Sequence, residues 1–367
     1  MRVLALVTDA FGGAGGIAAA TRATLIALAA APSVAAIGVL PRSAPGAVGL
    51  LPDKVTQGSP RSGRGAYTLG ALAYAAAFRP DLIYCNHLYM APLARLAAWL
   101  ARAKFIVHVH GVEIWEKPTR ARRTALESAQ SVVCVSRHTR GMVLRYSNTP
   151  PERAVVINNT VSERFRPGER MNARVRLGLD HDARVVLTVG RLASSERYKG
   201  HERTIDALAG IAASSQAKLV YLIAGDGDDR VRLERLVRER KLNGLVRFLG
   251  HTTETDLVSL YQAADLFVMP STGEGFGIAF IEAMACGTPA LGLAAGGARD
   301  ALVDGQLGAC VAEEDFPAAL AAALESSARP EHLAQAVQAH FGQDILQNRF
   351  NLVLGAVSGP AASASRP

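Results

Sequence analysis

The chain has 367 residues, 49% of them hydrophobic and 20% charged, a balance that gives a folded protein with core enough for two domains and excludes a disordered or fibrous chain. Its net charge of +8 and pI near 9.6 imply attraction to something anionic. No helix-turn-helix, zinc-finger or RNP motif accompanies that charge, so nucleic acid is not an expected partner.

The opening apolar run Val3–Val7 stops at Asp9 without a cleavage-site pattern, and no export signal is expected. The longest apolar stretch, 66–78, falls short of the roughly 20 residues a bilayer needs. Cys85, Cys134, Cys286 and Cys310 lie far apart with no Cys-x-x-Cys pair, which argues against a zinc knuckle or a disulfide framework and fits buried thiols in a reducing cytoplasm.

Short Val/Ile/Leu runs alternate with Ala- and Leu-rich helical stretches, the pattern of strands buried between helix layers in parallel sheets. In the first half, strands are expected at 3–7, 35–40, 82–85, 105–109, 131–135 and 154–157, with helices near 16–30, 92–103 and 137–146. In the second half, strands are expected at 185–189, 219–224, 246–249, 266–269, 289–292 and 309–311, and a helix at 278–286. The polar, aperiodic segment 158–168 reads as the linker. The fold class is therefore α/β with two doubly wound sheets: a first domain at 1–165, a second at 166–344, a terminal helix at 345–356 and a disordered tail at 357–367.

After strand one, Asp9-Ala10-Phe11-Gly12-Gly13-Ala14-Gly15-Gly16 leads into a helix and is placed to offer backbone N–H groups to phosphate. The stretch also satisfies a dinucleotide pattern, but strand two ends Leu40-Pro41-Arg42-Ser43 without the acidic residue a ribose would need. His108 and His110 alternate at a strand end, so both rings face one side. No third ligand at zinc spacing accompanies them, and His110 is read as a ligand-facing hydrogen-bonding group and His108 as packed.

Arg191 follows the first strand of the second domain and Lys199 precedes a helix; a bidentate guanidinium and a mobile ammonium suit a diphosphate. Gly225-Asp226-Gly227 and Gly250-His251 end the next two strands and are candidates to border a base. The densest signal is Glu274-Gly-Phe276-Gly277-Ile278-Ala-Phe-Ile-Glu282. Glycines there let backbone approach a ligand, and eight helical residues span about 12 Å, so Glu274 and Glu282 could hold opposite ends of an elongated hydroxyl-rich molecule. Gly296-Gly297 makes another glycine-rich helix start.

Together these residues, with 283–289 reading Ala-Met-Ala-Cys-Gly-Thr-Pro, resemble the retaining glycosyltransferases of family 4, whose GT-B fold sets two Rossmann-like domains facing each other across a cleft. The resemblance implies a nucleotide-sugar donor and a saccharide or lipid-linked saccharide acceptor. It implies catalytic roles for His110, Arg191, Lys199 and Glu274. Donor binding would fall to Gly12, Gly13, Gly15, Gly16, Gly225, Gly227, His251, Phe276, Gly277, Ile278 and Glu282. No metal or other cofactor is expected, because the two cations would do a metal's work. Alternatives are a GT-B nucleotide-sugar epimerase and a catalytically silent sugar-binding protein. The expected location is cytoplasmic, peripheral on the inner face of the cell membrane, with the basic first half (Arg61, Arg64, Arg102, Lys104, Arg120, Arg122, Arg123) on anionic lipid. In three places the sequence departs from the family pattern: Asn158-Asn159-Thr160, Asp300 after the Gly296-Gly297 pair, and the 194–198 insertion before Lys199.

Overall fold

In a computed structural model the chain forms two α/β units, one made of residues 1–160 with the chain from 343 onward, the other of residues 161–342. The structure describes residues 1–13, 15–214, 218–326 and 329–359.

The first unit carries strands β1 Arg2–Val7, β2 Ala36–Pro41, β3 Val55–Gln57, β4 Leu82–Cys85, β5 Lys104–Val109, β6 Ser131–Cys134 and β7 Ala154–Val156. All pairs are parallel, in the order β3-β2-β1-β4-β5-β6-β7. Its helices are α1 Gly16–Ala30, α2 Arg64–Phe78, α3 Ala91–Ala101, α4 Arg120–Ser128 and α5 Arg137–Tyr146. The 66–78 stretch that reads as a plain apolar run forms α2, which buries Tyr67, Gly70, Ala71 and Ala75, one stripe at helical spacing. Strand β3 escapes the sequence pattern because three edge residues carry no periodicity.

The second unit carries α6 Arg170–Arg176, β8 Arg184–Val189, α7 His201–Ser214, β9 Leu219–Ala224, α8 Arg230–Glu239, β10 Val246–Gly250, α9 Glu254–Ala263 and β11 Leu266–Met269. It continues with α10 Ile278–Ala285, β12 Ala290–Leu293, α11 Ala298–Ala301, β13 Ala309–Val311, α12 Phe316–Glu325 and α13 Leu333–Phe341. The sheet order is β10-β9-β8-β11-β12-β13, again with all pairs parallel. In both sheets the order reverses once, between β1 and β4 and between β8 and β11, and such switch points open a crevice at the strands' carboxyl ends.

The last helix, α14 Gln343–Ser358, belongs to the first unit and packs on α1. It buries Leu346, Phe350, Val353, Leu354 and Val357, and this apolar stripe carries the helix through Val357 and Ser358, where the sequence reading expects the tail to have begun. Residues 360–367 of that tail lie outside the described residues.

Two ion pairs on Asp265 tie α6 to the second sheet, one from Arg170 and one from the buried Arg174. The Arg174 guanidinium donates to Asp265 Oδ2 at 2.6 Å and to the carbonyls of Ala263 at 3.1 Å and His181 at 2.5 Å, while Asp265 Oδ2 also accepts the Val185 N–H at 2.7 Å. Asp265→Ala would leave a guanidinium that is 1% exposed facing carbonyls alone. We expect urea denaturation to show a loss of roughly 3 kcal/mol, with Asp265→Asn, which keeps an acceptor, losing less.

Candidate functional site

At the carboxyl edge of the second sheet, the loops after β8, β9, β11 and β12 pass close enough that side chains would not fit between them. Gly225 lies at φ +143°, where an added Cβ would sit 1.9 Å from the Gly190 carbonyl oxygen; Gly200 lies at φ +80°, where it would meet the Pro270 oxygen at 2.2 Å. Only glycine allows both contacts. Hydrogen bonds fasten the loops together: Leu192 N–H to Asp226 O at 3.0 Å, Thr272 N–H to Tyr198 O at 2.9 Å and Gly297 N–H to Glu274 O at 2.8 Å. Gly225 and Gly227 thus lie against the 190–193 backbone, and Gly296 and Gly297 against 274–276.

This packing gathers four charges. Lys199 Nζ stands 3.5 Å from Glu274 Oε1 and 3.8 Å from Glu196 Oε2, and the Arg191 guanidinium pairs with Glu196 Oε1. The structure thus places Arg191, Lys199 and Glu274 in one cluster. Glu196 is the member that sequence reasoning missed. It sits in the insertion, which is pinned on both sides: Ser194 N–H donates to Asp228 Oδ1 at 2.9 Å, and Arg197 Nε donates to Asp229 Oδ1 at 3.1 Å. The Ser194 hydrogen bonds hold the Asp228 carboxyl below its usual range. The Asp226–Asp229 run after a glycine reads in sequence as turn chemistry, which conceals that role.

Glu282 is held apart from these cations. It projects from the second turn of α10, where its Oε2 accepts the Tyr261 hydroxyl at 2.9 Å. Burial pushes its carboxyl up to about 7, against the Tyr261 hydrogen bond and the Arg164 charge, which favour ionisation. Gly277 begins α10 at φ +96° with no side-chain cap, so the N–H groups from Ile278 onward form a helix start open to an anion. The Phe276 side chain, by contrast, is core: it is buried, 5.5 Å from the Phe341 ring. His251 is exposed just past β10.

In the first unit, Gly12 and Gly13 turn the chain after β1, with Gly12 O accepting the Gly46 N–H at 2.8 Å and Arg22 donating to the Gly13 carbonyl at 2.7 Å. Gly15 is the N-cap of α1 at φ +87°, and Gly16 opens that helix. Across the β1/β4 switch, the His108 and His110 rings stack with centroids 4.5 Å apart. His110 Nε2 lies 2.9 Å from the Asn86 carbonyl; a carbonyl only accepts, so the proton is on Nε2 and Nδ1 is left as an acceptor. Burial pushes the pKa of His87, His108 and His110 down, keeping them neutral near pH 7. His87 and the buried Glu113, whose Oε1 accepts the His110 N–H at 2.8 Å, complete this cluster. Neither carried a motif that would have found it.

The description Glycosyl transferases group 1 matches residues 169–340, and the description Glycosyltransferase Family 4 matches residues 14–165. The chain is a family 4 glycosyltransferase. A D-inositol 3-phosphate glycosyltransferase 2 of Catenulispora acidiphila is 29% identical over an alignment covering 86% of this chain and 79% of its own. A D-inositol 3-phosphate glycosyltransferase of Geodermatophilus obscurus is 34% identical, covering 76% of this chain and 66% of its own. The solved structure of Anabaena Alr3699/HepE in complex with UDP has a TM-score of 0.76 at 23% identity, covering 97% of this chain and 100% of that one, and shows the shared GT-B fold.

The pH response of this glycosyltransferase follows from Glu282. Its folded carboxyl titrates near 7 and the ordinary value is 4.5, so the folded state binds more protons between those limits and stability falls as pH rises through them. Glu282→Gln mimics the protonated form. We expect it to melt higher than the native enzyme at pH 8, by on the order of 2 kcal/mol, and to match it at pH 5; equal melting at both pH values would contradict the assignment.

Proposed function

We propose that this glycosyltransferase is a retaining hexosyltransferase, moving a hexose from a UDP- or GDP-sugar to an acceptor hydroxyl with an α linkage during polysaccharide or glycolipid assembly. The observation that carries the reading is the Arg191/Lys199 pair, two cations set by glycine-enabled loop packing at the switch point of the second sheet. They would grip the donor's diphosphate and stabilise the charge that grows on it as the glycosidic C–O bond breaks. Glu282 would take the ribose hydroxyls and Glu274 hydroxyls of the sugar. His110, with Nδ1 as its acceptor nitrogen, would serve the sugar near its reacting carbon.

Retention by double displacement needs a carboxylate nucleophile. Glu274 is engaged by Lys199, which favours a front-face route: the acceptor oxygen bonds to the anomeric carbon on the side the diphosphate leaves, and the leaving phosphate oxygen takes the acceptor's proton. With Arg191 and Lys199 as the positive charges, no metal is required. The test is nucleoside diphosphate release across UDP-, GDP- and ADP-sugars in EDTA. One donor should be consumed, and Lys199→Ala should slow its use on the order of 10²-fold to 10³-fold. Silence across the panel, without donor-induced thermal shift, would move the assignment to an epimerase or a sugar-binding protein.

The acceptor proposed is saccharide or lipid-linked, met at an anionic membrane surface. The first unit holds 20 Lys/Arg against 8 Asp/Glu, whereas the second holds 20 against 24. On α3, the face toward the core is Ala91, Ala94, Ala97 and Ala98, while Leu96, Trp99 and Leu100 are 44%, 74% and 53% exposed between Arg95 and Arg102. Exposed apolar groups within a basic field suit a headgroup layer. Among the described residues no helix is long and apolar enough to cross a membrane. Native protein should sediment with phosphatidylglycerol vesicles and not with phosphatidylcholine vesicles, and Trp99→Glu should release it; co-sedimentation unaffected by that change would contradict this docking face. The phosphorylated cyclitol in the names of the two relatives is the soluble acceptor to run beside lipid-linked saccharides.

A further inference from the structure

Glu196 sits where the proposed reaction needs an anion of a different kind. Its carboxylate spans the two cations assigned to the diphosphate, Oε1 on the Arg191 guanidinium and Oε2 3.8 Å from Lys199 Nζ. Oε2 is buried and accepts no hydrogen bond among the described residues, an arrangement that leaves a charged acceptor short of donors. The backbone carrying it is bent as well: within the 3-10 segment Ser194–Lys199, Glu196 departs from helical geometry at φ −117° and ψ 26°. The flanking anchors Ser194–Asp228 and Arg197–Asp229 fix the segment on either side of that bend.

We propose that Glu196 is an internal stand-in for phosphate. Without donor it neutralises Arg191 and Lys199 and keeps them in place, and the arriving diphosphate displaces its carboxylate from both. The inference rests on the diphosphate reading of that pair. Charge decides the direction. Two carboxylates against two cations leave the empty cluster neutral, and a diphosphate added with Glu196 still seated would put its charge beside a like charge. With Glu196 withdrawn, both cations face phosphate oxygens. The same competition acts again after transfer, when Glu196 returns to the cations and helps expel the nucleoside diphosphate. Glu196 is thus a positioning and release residue that never touches the reacting carbon, and the insertion carrying it exists to place it.

The test is calorimetric titration of UDP, GDP and ADP into native protein, Glu196→Gln, Glu196→Asp, Lys199→Ala and Arg191→Ala, with circular dichroism to check that each variant is folded. Whichever nucleotide binds native protein should bind Glu196→Gln about tenfold tighter, because the amide fills the same space without competing charge, and Glu196→Asp should stay near native. In turnover, Glu196→Gln should lower the donor KM and lower kcat with it, as product release slows. Equal or weaker nucleotide binding by Glu196→Gln overturns the stand-in role and makes Glu196 an orienting partner of Arg191. If Lys199→Ala and Arg191→Ala bind as native does, the diphosphate reading itself fails, whatever Glu196→Gln shows. Absence of binding by all three nucleotides to both native and Glu196→Gln protein overturns the two together.

Discussion

The close approach of the loops at the carboxyl edge of the second sheet is the constraint on which the rest depends. Backbone lies directly on backbone where Gly225 meets Gly190, Gly200 meets Pro270 and Gly297 meets Gly275, and a side chain at any of these points would push a charged group out of place. Arg191 and Lys199 come from one loop and Glu274 from another, so their separation of a few ångströms is set by this packing rather than by any single element. Sites built in this way keep their geometry before the ligand arrives, which is what stabilising a developing charge requires.

Electrostatics then acts at two scales. Locally, Arg191, Glu196, Lys199 and Glu274 balance one another, so partly buried charges are not left alone and the loops do not splay. Glu282 solves the same problem differently: half-buried and bonded to the Tyr261 hydroxyl, it sheds its charge more readily than an ordinary carboxyl. Across the chain, the excess of basic residues lies entirely in the first unit. The protein's +8 is therefore a property of one unit, and the unit carrying the Arg191/Lys199 pair is itself acidic overall.

Much of the fold was legible because buried parallel strands are continuous Val/Ile/Leu runs, and twelve of them stand in the sequence where the sheets place them to within a residue or two. Short edge strand β3 was not, since three residues carry no periodicity, and neither was helix α2, whose run of apolar and small residues hides the buried stripe. At the site, Arg191, Lys199 and Glu274 could be named because each stands beside a glycine in a loop that follows a strand. Glu196 could not, because whether a carboxylate in an insertion turns inward depends on anchors more than thirty residues away, at Asp228 and Asp229. The roles of His87 and Glu113 were hidden for a related reason: β4 and β5 are neighbours in the sheet, and only that pairing brings the residues after them together. The reading of 357–367 as a tail erred where Val357 completes the apolar stripe of α14.

Whether Arg191 and Lys199 form the diphosphate seat is decided by an experimental structure of the enzyme with its nucleoside diphosphate. Phosphate oxygens should lie within hydrogen-bonding distance of both cations, with the Glu196 carboxylate turned away from them. A nucleotide bound elsewhere, or one bound with Glu196 still bridging the two cations, would contradict this assignment.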